Sequence, residues 1–199
     1  MSTPIILASA SKIRLSLLQQ AGLSVEVQVP AVDEQEMKAS FQAERAPVEA
    51  CAEALAELKA VRVSQRHPGA LVIGADQMLD LNGIWFDKPA DLDHARAHLQ
   101  ALRGQTHRLV TAAVVALNGS RIWHTIDTAR LTMRPFSDAF LAGYLERQGP
   151  VVLSSVGAYQ LEGLGAQLFN RIEGDFFTIL GLPLLPLLGF LRGHGALPT

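Results

Sequence analysis

Two long runs of strand-forming residues, His107–Leu117 and Arg121–Met133, occupy the middle of this chain and flank the dipeptide Asn118-Gly119. An Asn-Gly pair between two such runs predicts a tight hairpin turn, because both residues tolerate the positive φ angles that the turn requires. The chain is therefore constrained to form a sheet that contains long antiparallel strands.

Shorter strands and helices alternate before and after this hairpin. Ile5–Ala8 and Leu71–Ile73 are short apolar runs typical of buried strands. Asn82-Gly83 predicts another hairpin turn. The predicted helices follow residues that commonly begin one, namely Ser11, Pro47, Asp91 and Ser137. This order predicts an α/β fold with a mixed sheet and helices against it.

Three segments give further expectations. Residues 33–46 are predicted as a loop, and a last strand pair is expected after the glycine-rich loop Gly157–Gly165. The apolar segment 176–191 contains glycines and prolines and is shorter than the roughly 20 residues that a membrane span requires. It is predicted as a buried terminal helix.

Composition excludes several classes of protein. With 199 residues, 49% of them apolar, the chain can bury a core as one domain covering 1–199. The formal net charge of −2, without a lysine and arginine block, argues against a polymeric nucleic acid partner. Cys51 is the single cysteine, which excludes an internal disulfide or a cysteine-rich zinc site and fits a reducing cytoplasm. The N-terminal residues lack the features of a signal peptide.

The predicted corner between the first strand and helix is a candidate anion site. A helix N-terminus presents unpaired backbone N–H groups and a positive dipole end, which favour an anion. Ser9 and Ser11 add hydroxyl donors, and Arg14 places a cation in the first turn. A capped helix with solvated basic residues is the alternative explanation of this segment.

Acidic and basic residues elsewhere can serve phosphate chemistry. Asp76 ends an apolar strand, where open α/β sheets place their ligand crevice. Glu34 lies in an acidic segment that can equally be a solvated loop. Lys59 is a candidate for binding phosphate, although surface pairing with Glu53 and Glu57 competes with that role. Lys88, just before a proline, is the better candidate of the two lysines.

Short motifs spread over almost the whole chain resemble those of the Maf family. They are Leu7-Ala8-Ser9-Ala10-Ser11 with Arg14, Gly74-Ala75-Asp76, Lys88-Pro89, Leu102-Arg103-Gly104, Gly157-Ala158-Tyr159, Glu162-Gly163, Glu173-Gly174-Asp175 and Gly181-Leu182-Pro183. Each fragment is weak alone, but their order is specific. The resemblance implies a metal-dependent nucleoside triphosphate pyrophosphatase of the cytoplasm. It also implies an elongated mixed sheet with a cleft between two lobes, and often a homodimer.

The resemblance assigns roles by position. Asp76 matches the family's proton acceptor, and Ser9, Ser11 and Arg14 match its N-terminal phosphate motif. Glu34, Lys59 and Lys88 match its cleft residues. Glu34 and Asp76 are accordingly expected to hold a divalent cation, Mg²⁺, Mn²⁺ or Co²⁺.

Two further positions bear on the choice of base. Gln77 and Glu162 resemble the branch of the family that acts on 7-methyl-GTP. A carboxylate at Glu162 can accept hydrogen bonds from guanine and attract a ring made cationic by N7 methylation. Lys12 and Ile13 stand where members usually show proline followed by arginine or tryptophan, so a broader nucleotide range stays open.

Two functions follow from these observations. The first is hydrolysis of nucleoside triphosphates to monophosphate and pyrophosphate, which removes modified nucleotides from the pool. The second is a nucleotide-binding regulator of cell division or septum formation without turnover. Neither function is expected to involve a membrane.

Overall fold

The computed structural model describes residues 3–198, and within them seven strands form one mixed sheet. The strands are β1 (Ile5–Leu7), β2 (Glu26–Val27), β3 (Leu71–Leu81), β4 (Ile84–Phe86), β5 (Thr106–Leu117), β6 (Ser120–Met133) and β7 (Phe169–Glu173). Their order in the sheet is β2-β1-β3-β5-β6-β7, with β4 paired to β3. β1 runs parallel to β2 and β3, whereas β3 pairs with β4, and β6 with β7, in antiparallel fashion. The predicted mixed α/β fold is confirmed.

Helices alternate with these strands. They are α1 (Lys12–Gln20), α2 (Glu34–Ala43), α3 (Val48–Ser64), α4 (Leu92–Leu102), α5 (Asp138–Gln148), α6 (Phe176–Ile179) and α7 (Leu184–Gly193). The predicted caps at Ser11, Asp91 and Ser137 are confirmed, because each side chain accepts a hydrogen bond from a backbone N–H three residues later. No helix within residues 3–198 has the length and apolar character that crossing a membrane requires.

Four expectations about local structure are wrong. Asp76, expected at the end of a strand, lies within β3, which continues to Leu81. Residues 34–43, predicted as part of a loop, form α2, because Asp33 caps this helix by accepting a hydrogen bond from the Glu36 N–H at 3.0 Å. The last strand pair is a single strand, β7, whose partner is β6. The apolar terminal segment is two helices rather than one, since Gly181 and Pro183 separate α6 from α7.

The chain divides into two compact units. The first comprises Met1–Gln77, Thr111–Asp127 and Gly181–Thr199, and the second comprises Met78–Val110 and Thr128–Leu180. The second unit buries a large apolar cluster that includes Leu99, Leu131 and Tyr144. In the first unit, Ile6, Val63 and Val72 belong to a smaller buried cluster.

Close packing of α3 on β3 places the residues of the candidate site. A Cβ atom added at Gly74 would lie 2.2 Å from the Ala56 carbonyl oxygen and 2.8 Å from the Ala60 amide nitrogen. Only glycine allows the helix and the strand to approach so closely. Lys59 of α3 and Asp76 of β3 are thereby brought together.

Candidate active site

The corner between β1 and α1 is built by its two serines. Ser9 is buried, and its Oγ accepts a hydrogen bond from the Ser11 N–H at 3.2 Å. The Oγ of Ser11 accepts one from the Arg14 N–H at 3.4 Å, which caps the helix. The chain thus turns sharply at the start of α1, where the free N–H groups of the helix favour an anion.

Arg14 folds back onto the protein instead of extending into solvent. Its Nε donates to the Gly181 carbonyl at 2.7 Å, and its Nη1 donates to the Ala75 carbonyl at 2.8 Å and to Ser9 Oγ at 3.3 Å. Burial lowers the pKa of the Arg14 guanidinium, against the raising effects of Asp76 and Glu34. The alternative of a solvated Arg14 is therefore excluded.

Lys59 lies between the two predicted acidic residues. Its Nζ is 2.6 Å from Asp76 Oδ1 and 2.7 Å from Glu34 Oε1. Lys59 and Asp76 are both buried, with 7% and 5% of their surface exposed, whereas 44% of the Glu34 side chain is exposed. The three side chains form a buried ion pair that continues to the surface, where Glu34 also lines an open depression formed by residues 31–35.

The competing explanation for Lys59, a surface pairing within α3, is excluded by the same geometry. Glu53 and Glu57 instead accept from Arg121 Nη1 at 2.8 and 2.9 Å. His124 Nδ1 lies 2.8 Å from Glu53 as well. Glu53 and Glu57 therefore have partners other than Lys59.

Asp76 retains one oxygen for further chemistry. Oδ1 contacts Lys59, whereas Oδ2 is buried and has no hydrogen-bond partner among residues 3–198. Leaving a carboxylate oxygen buried and unpaired is costly, and such a group in a native protein commonly marks the place of an ion or a catalytic role. An Oδ2 in this state can accept a proton or bind a cation.

The remaining predicted site residues lie in three different places. Gln77 follows Asp76 on β3 and donates from Nε2 to Thr111 Oγ1 at 2.9 Å within the first unit. Lys88 is exposed in the loop after β4, and Glu162 is exposed in the loop before β7, both within the second unit. Their roles in binding stay predictions.

Sequence reasoning assigned no role to Gly181, Ala75 and Thr111, whose backbone or hydroxyl oxygens hold predicted site residues in place. Gly181 and Ala75 did belong to motifs that carry the family resemblance. No pattern in the sequence links either residue to Arg14, because the contacts span 167 and 61 residues.

The glycine-rich loop of the second unit is fixed by buried aromatic residues. Tyr144 donates its hydroxyl hydrogen to the Ala158 carbonyl at 3.2 Å, and the Tyr159 hydroxyl lies 2.7 Å from His107 Nε2. Burial raises the pKa of both tyrosines and lowers the pKa of His107 to about 4. His107, at 1% exposure, is a residue of the buried core.

The mixed α/β fold and the cluster of Lys59, Asp76 and Glu34 agree with the class of enzyme that the sequence motifs resemble. The chain belongs to the Maf family, since the model of the Maf-like proteins matches residues 4–194.

Similar proteins cover nearly the full length of the chain. A nucleoside triphosphate pyrophosphatase of Paramagnetospirillum magneticum is 61% identical over 96% of this chain and 99% of its own length. One from Granulibacter bethesdensis is 56% identical, covering 97% of this chain and 98% of the relative. A 7-methyl-GTP pyrophosphatase of Rhizobium johnstonii is 50% identical over 99% of each chain. These matches confirm the predicted family and enzyme class, and they do not favour a binding protein without turnover.

Proposed function

We propose that this chain hydrolyses nucleoside triphosphates to nucleoside monophosphate and pyrophosphate at the cluster of Asp76, Lys59 and Glu34. Water adds its oxygen to the α-phosphorus, the bond from that phosphorus to the bridging oxygen breaks, and pyrophosphate leaves. The buried, unpaired Oδ2 of Asp76 carries this proposal, because it can orient the water and accept its proton.

Lys59 orients the Asp76 carboxylate for binding the water. By holding Oδ1 at 2.6 Å it fixes the carboxylate plane and leaves Oδ2 for the water. The hydroxyls of Ser9 and Ser11 and the guanidinium of Arg14, in the same unit as Asp76, then bind the phosphates. Lys88 of the second unit is proposed to bind them as well. Cations and hydrogen-bond donors fixed in advance stabilise the charge that develops as the phosphoryl group is transferred.

The residues present fit a divalent cation. Asp76 and Glu34 are the acidic residues that would hold it, and Mg²⁺ typically uses one or two carboxylates and takes its other ligands from phosphate and water. Among residues 3–198 no group of three or more histidine, cysteine or acidic side chains is placed to bind a metal, so phosphate and water would have to supply the remaining ligands. Mg²⁺, Mn²⁺ or Co²⁺ would neutralise charge on the phosphates.

The proposed substrates include 7-methyl-GTP, with a broader range of nucleoside triphosphates accepted. Glu162 supports the first part, because a carboxylate attracts a cationic methylated guanine. The differing names of the relatives and the absence of an aromatic residue at Ile13 support the second part. We further propose one functional domain over 1–199 that acts in the cytoplasm as a homodimer.

Substitution of Asp76 tests the proposed reaction. Pyrophosphate release by the wild-type chain and by Asp76→Asn would be measured with canonical triphosphates and 7-methyl-GTP, each with Mg²⁺, Mn²⁺ and Co²⁺. We expect about a 10²- to 10⁴-fold loss of kcat for Asp76→Asn, the usual contribution of a general base. Circular dichroism should show an unchanged fold.

Asp80→Asn is the matched control. Asp80 lies on the same strand and is equally buried at 5% exposure, but it pairs with Arg108 at 2.9 Å instead of Lys59. We expect this variant to lose stability and keep its turnover. Wild-type turnover by Asp76→Asn would refute the role of Asp76, and no pyrophosphate from the wild type with any nucleotide and metal would refute the proposed function.

A further inference from the structure

Arg14 joins three parts of the first unit that are far apart in sequence. One guanidinium donates to the carbonyls of Ala75 and Gly181, which lie 61 and 167 residues further along the chain, and to the hydroxyl of Ser9. Because a guanidinium is planar and rigid, these acceptors cannot move independently while the hydrogen bonds persist. The start of α1, the end of the apolar run in β3 and the segment before α7 are thus held together.

The Ala75 carbonyl is directly linked to the proposed catalytic residue. It shares its peptide plane with the Asp76 nitrogen, so a hydrogen bond that fixes this carbonyl also fixes the direction in which the Asp76 backbone begins. Lys59 holds the Asp76 side chain at Oδ1. Asp76 is therefore fixed at two points, at the backbone through Arg14 and at the carboxylate through Lys59.

Gly181 is the far anchor of this arrangement, and the position requires glycine. Its φ of +97° lies in the region that side chains disfavour. A Cβ atom at this position would also lie 3.3 Å from Arg14 Nε and 3.4 Å from Arg14 Nη2. Any other residue therefore strains the backbone and shifts the guanidinium by a few tenths of an ångström.

We infer that Gly181 is a positioning residue for the hydrolytic reaction, acting through Arg14 and the Ala75 carbonyl to orient Asp76. The inference rests on the proposed function, since it assumes that Asp76 orients the water. If this inference holds, Gly181, which lies in the first unit just before α7, affects the rate of the chemical step. Binding of phosphate falls to other groups, including the second terminal nitrogen of Arg14.

Two glycine substitutions separate this role from ordinary backbone strain. Gly181→Ala strains the backbone at a positive φ and also brings a Cβ atom against the Arg14 guanidinium. Gly195→Ala, also in the first unit, strains the backbone at a φ of +76°, but no atom lies within 4 Å of the new Cβ. We expect kcat to fall about three- to tenfold in Gly181→Ala, less than the roughly hundredfold loss that misplacing a catalytic group by about 1 Å causes, because the guanidinium shifts by only a few tenths of an ångström. Gly195→Ala should keep the kcat of the wild type.

Inhibition by inorganic pyrophosphate distinguishes positioning from binding. We expect its Ki to rise by a smaller factor than kcat falls in Gly181→Ala, because the proposed phosphate donors Ser9, Ser11 and Lys88 are untouched and only Arg14 shifts. An NMR spectrum should also show that the Arg14 Nε–H exchanges with solvent faster in Gly181→Ala than in Gly195→Ala. Equal kcat values for the two glycine variants, or a loss of pyrophosphate affinity that accounts for the slower reaction, would overturn the inference.

Gly181→Asn provides a second test if the alanine variant folds poorly. Asparagine tolerates positive φ better than alanine, yet its Cβ meets the same guanidinium. We expect this variant to fold and to show the same loss of kcat, and a kcat equal to that of the wild type would overturn the inference. An inactive wild-type chain would instead reject the proposed function.

Discussion

Asp76 occupies an environment in which charges are balanced before any substrate arrives. Two carboxylates, Asp76 and Glu34, face Lys59, and both also act electrostatically on Arg14. Two negative and two positive charges leave the cluster formally neutral. A triphosphate brings several further negative charges, so its binding favours an additional cation, which agrees with the divalent ion that we propose.

His107 is a second residue whose burial has a measurable consequence. Its Nδ1 has no hydrogen-bond partner among residues 3–198, and its Nε2 is committed to the Tyr159 hydroxyl. Desolvation lowers the pKa of this imidazole from 6.5 to about 4. A charged His107 is therefore disfavoured in the folded chain.

We expect the free energy of unfolding to depend on pH through His107. Between about pH 6.5 and pH 4 the unfolded chain binds a proton at this residue and the folded chain does not, so stability falls as the pH is lowered through this window. The shift corresponds to a loss on the order of 3 kcal/mol. Urea denaturation at pH 7.5 and pH 4.5 should show a smaller difference in His107→Gln than in the wild type.

The exposed residue His194 provides the control for this measurement. His194→Gln makes the same substitution at an exposed position and leaves the buried His107–Tyr159 contact in place. An equal acid-induced loss of stability in His107→Gln and the wild type would show that carboxylates alone cause it.

Lys59 illustrates how far single residues can be predicted from sequence. Its spacing from Glu53 and Glu57 fits a surface ion pair on a helix, and the helical pattern gave no reason to prefer Asp76. The family resemblance grouped Lys59 with Glu34 and Asp76, and the structure brings these three side chains together. The partner of Lys59 is determined by which face of α3 packs on β3. That packing depends on Gly74, which contacts α3 although it is distant in sequence.

At the scale of elements, the approach of α3 to β3 determines whether the cluster can form. Lys59 reaches Asp76 because the backbone of the helix at Ala56 and Ala60 lies against Gly74. A side chain at this position must push one element away from the other, since the atoms that it meets are mainly backbone and cannot rotate aside.

We expect Gly74→Ala to destabilise the protein by about 3 kcal/mol or more, because overpacking against backbone cannot be relieved locally. Pyrophosphate release should fall as well, since Lys59 and Asp76 move apart. Thermal unfolding and a steady-state assay would measure the two effects. The matched variant is Gly189→Ala in α7, where nothing lies within 4 Å of the new Cβ.

Gly189→Ala should be neutral or stabilise by about 0.5–1 kcal/mol, because alanine favours a helix over glycine. If the two variants unfolded at the same temperature, close packing at Gly74 would not be what holds α3 on β3.

Elements with strong local signals were predicted correctly, and those without them were not. Asn118-Gly119 gave the β5–β6 hairpin, and the Ser11, Asp91 and Ser137 caps gave three helices. Asp33 with Glu36 is an equally local cap, but the acidic composition of the segment favoured a loop. The partner of β7 was missed because β6 lies far away in sequence.

At the scale of the whole molecule, the class of the fold was predictable but the order of its sheet was not. Alternation of strands and helices indicates a mixed α/β protein. The order β2-β1-β3-β5-β6-β7 depends on which distant strands pair, as when Ile6 of β1 lies beside Val72 of β3. The boundaries between the two compact units fall within β3, β5 and β6, and no local sequence pattern predicts this division.

Nucleotide binding to the intact chain provides the last prediction. A triphosphate with a methylene group between the α and β phosphates cannot be cleaved there, so it should stabilise the folded chain by mass action, about 2.7 kcal/mol at a hundred times its Kd.

If Glu162 binds a cationic base, Glu162→Gln should raise the Kd of the 7-methyl-GTP analogue about tenfold or more, because hydrogen bonds to charged groups contribute about 1.5–3 kcal/mol. The Kd of the UTP analogue should stay the same. Thermal shift and calorimetric titration with Mg²⁺ would measure both, with Glu173→Gln as an exposed control in the same unit. Equal affinity of Glu162→Gln and the wild type for the methylated analogue would remove Glu162 from base recognition and leave the hydrolytic cluster at Asp76 unaffected.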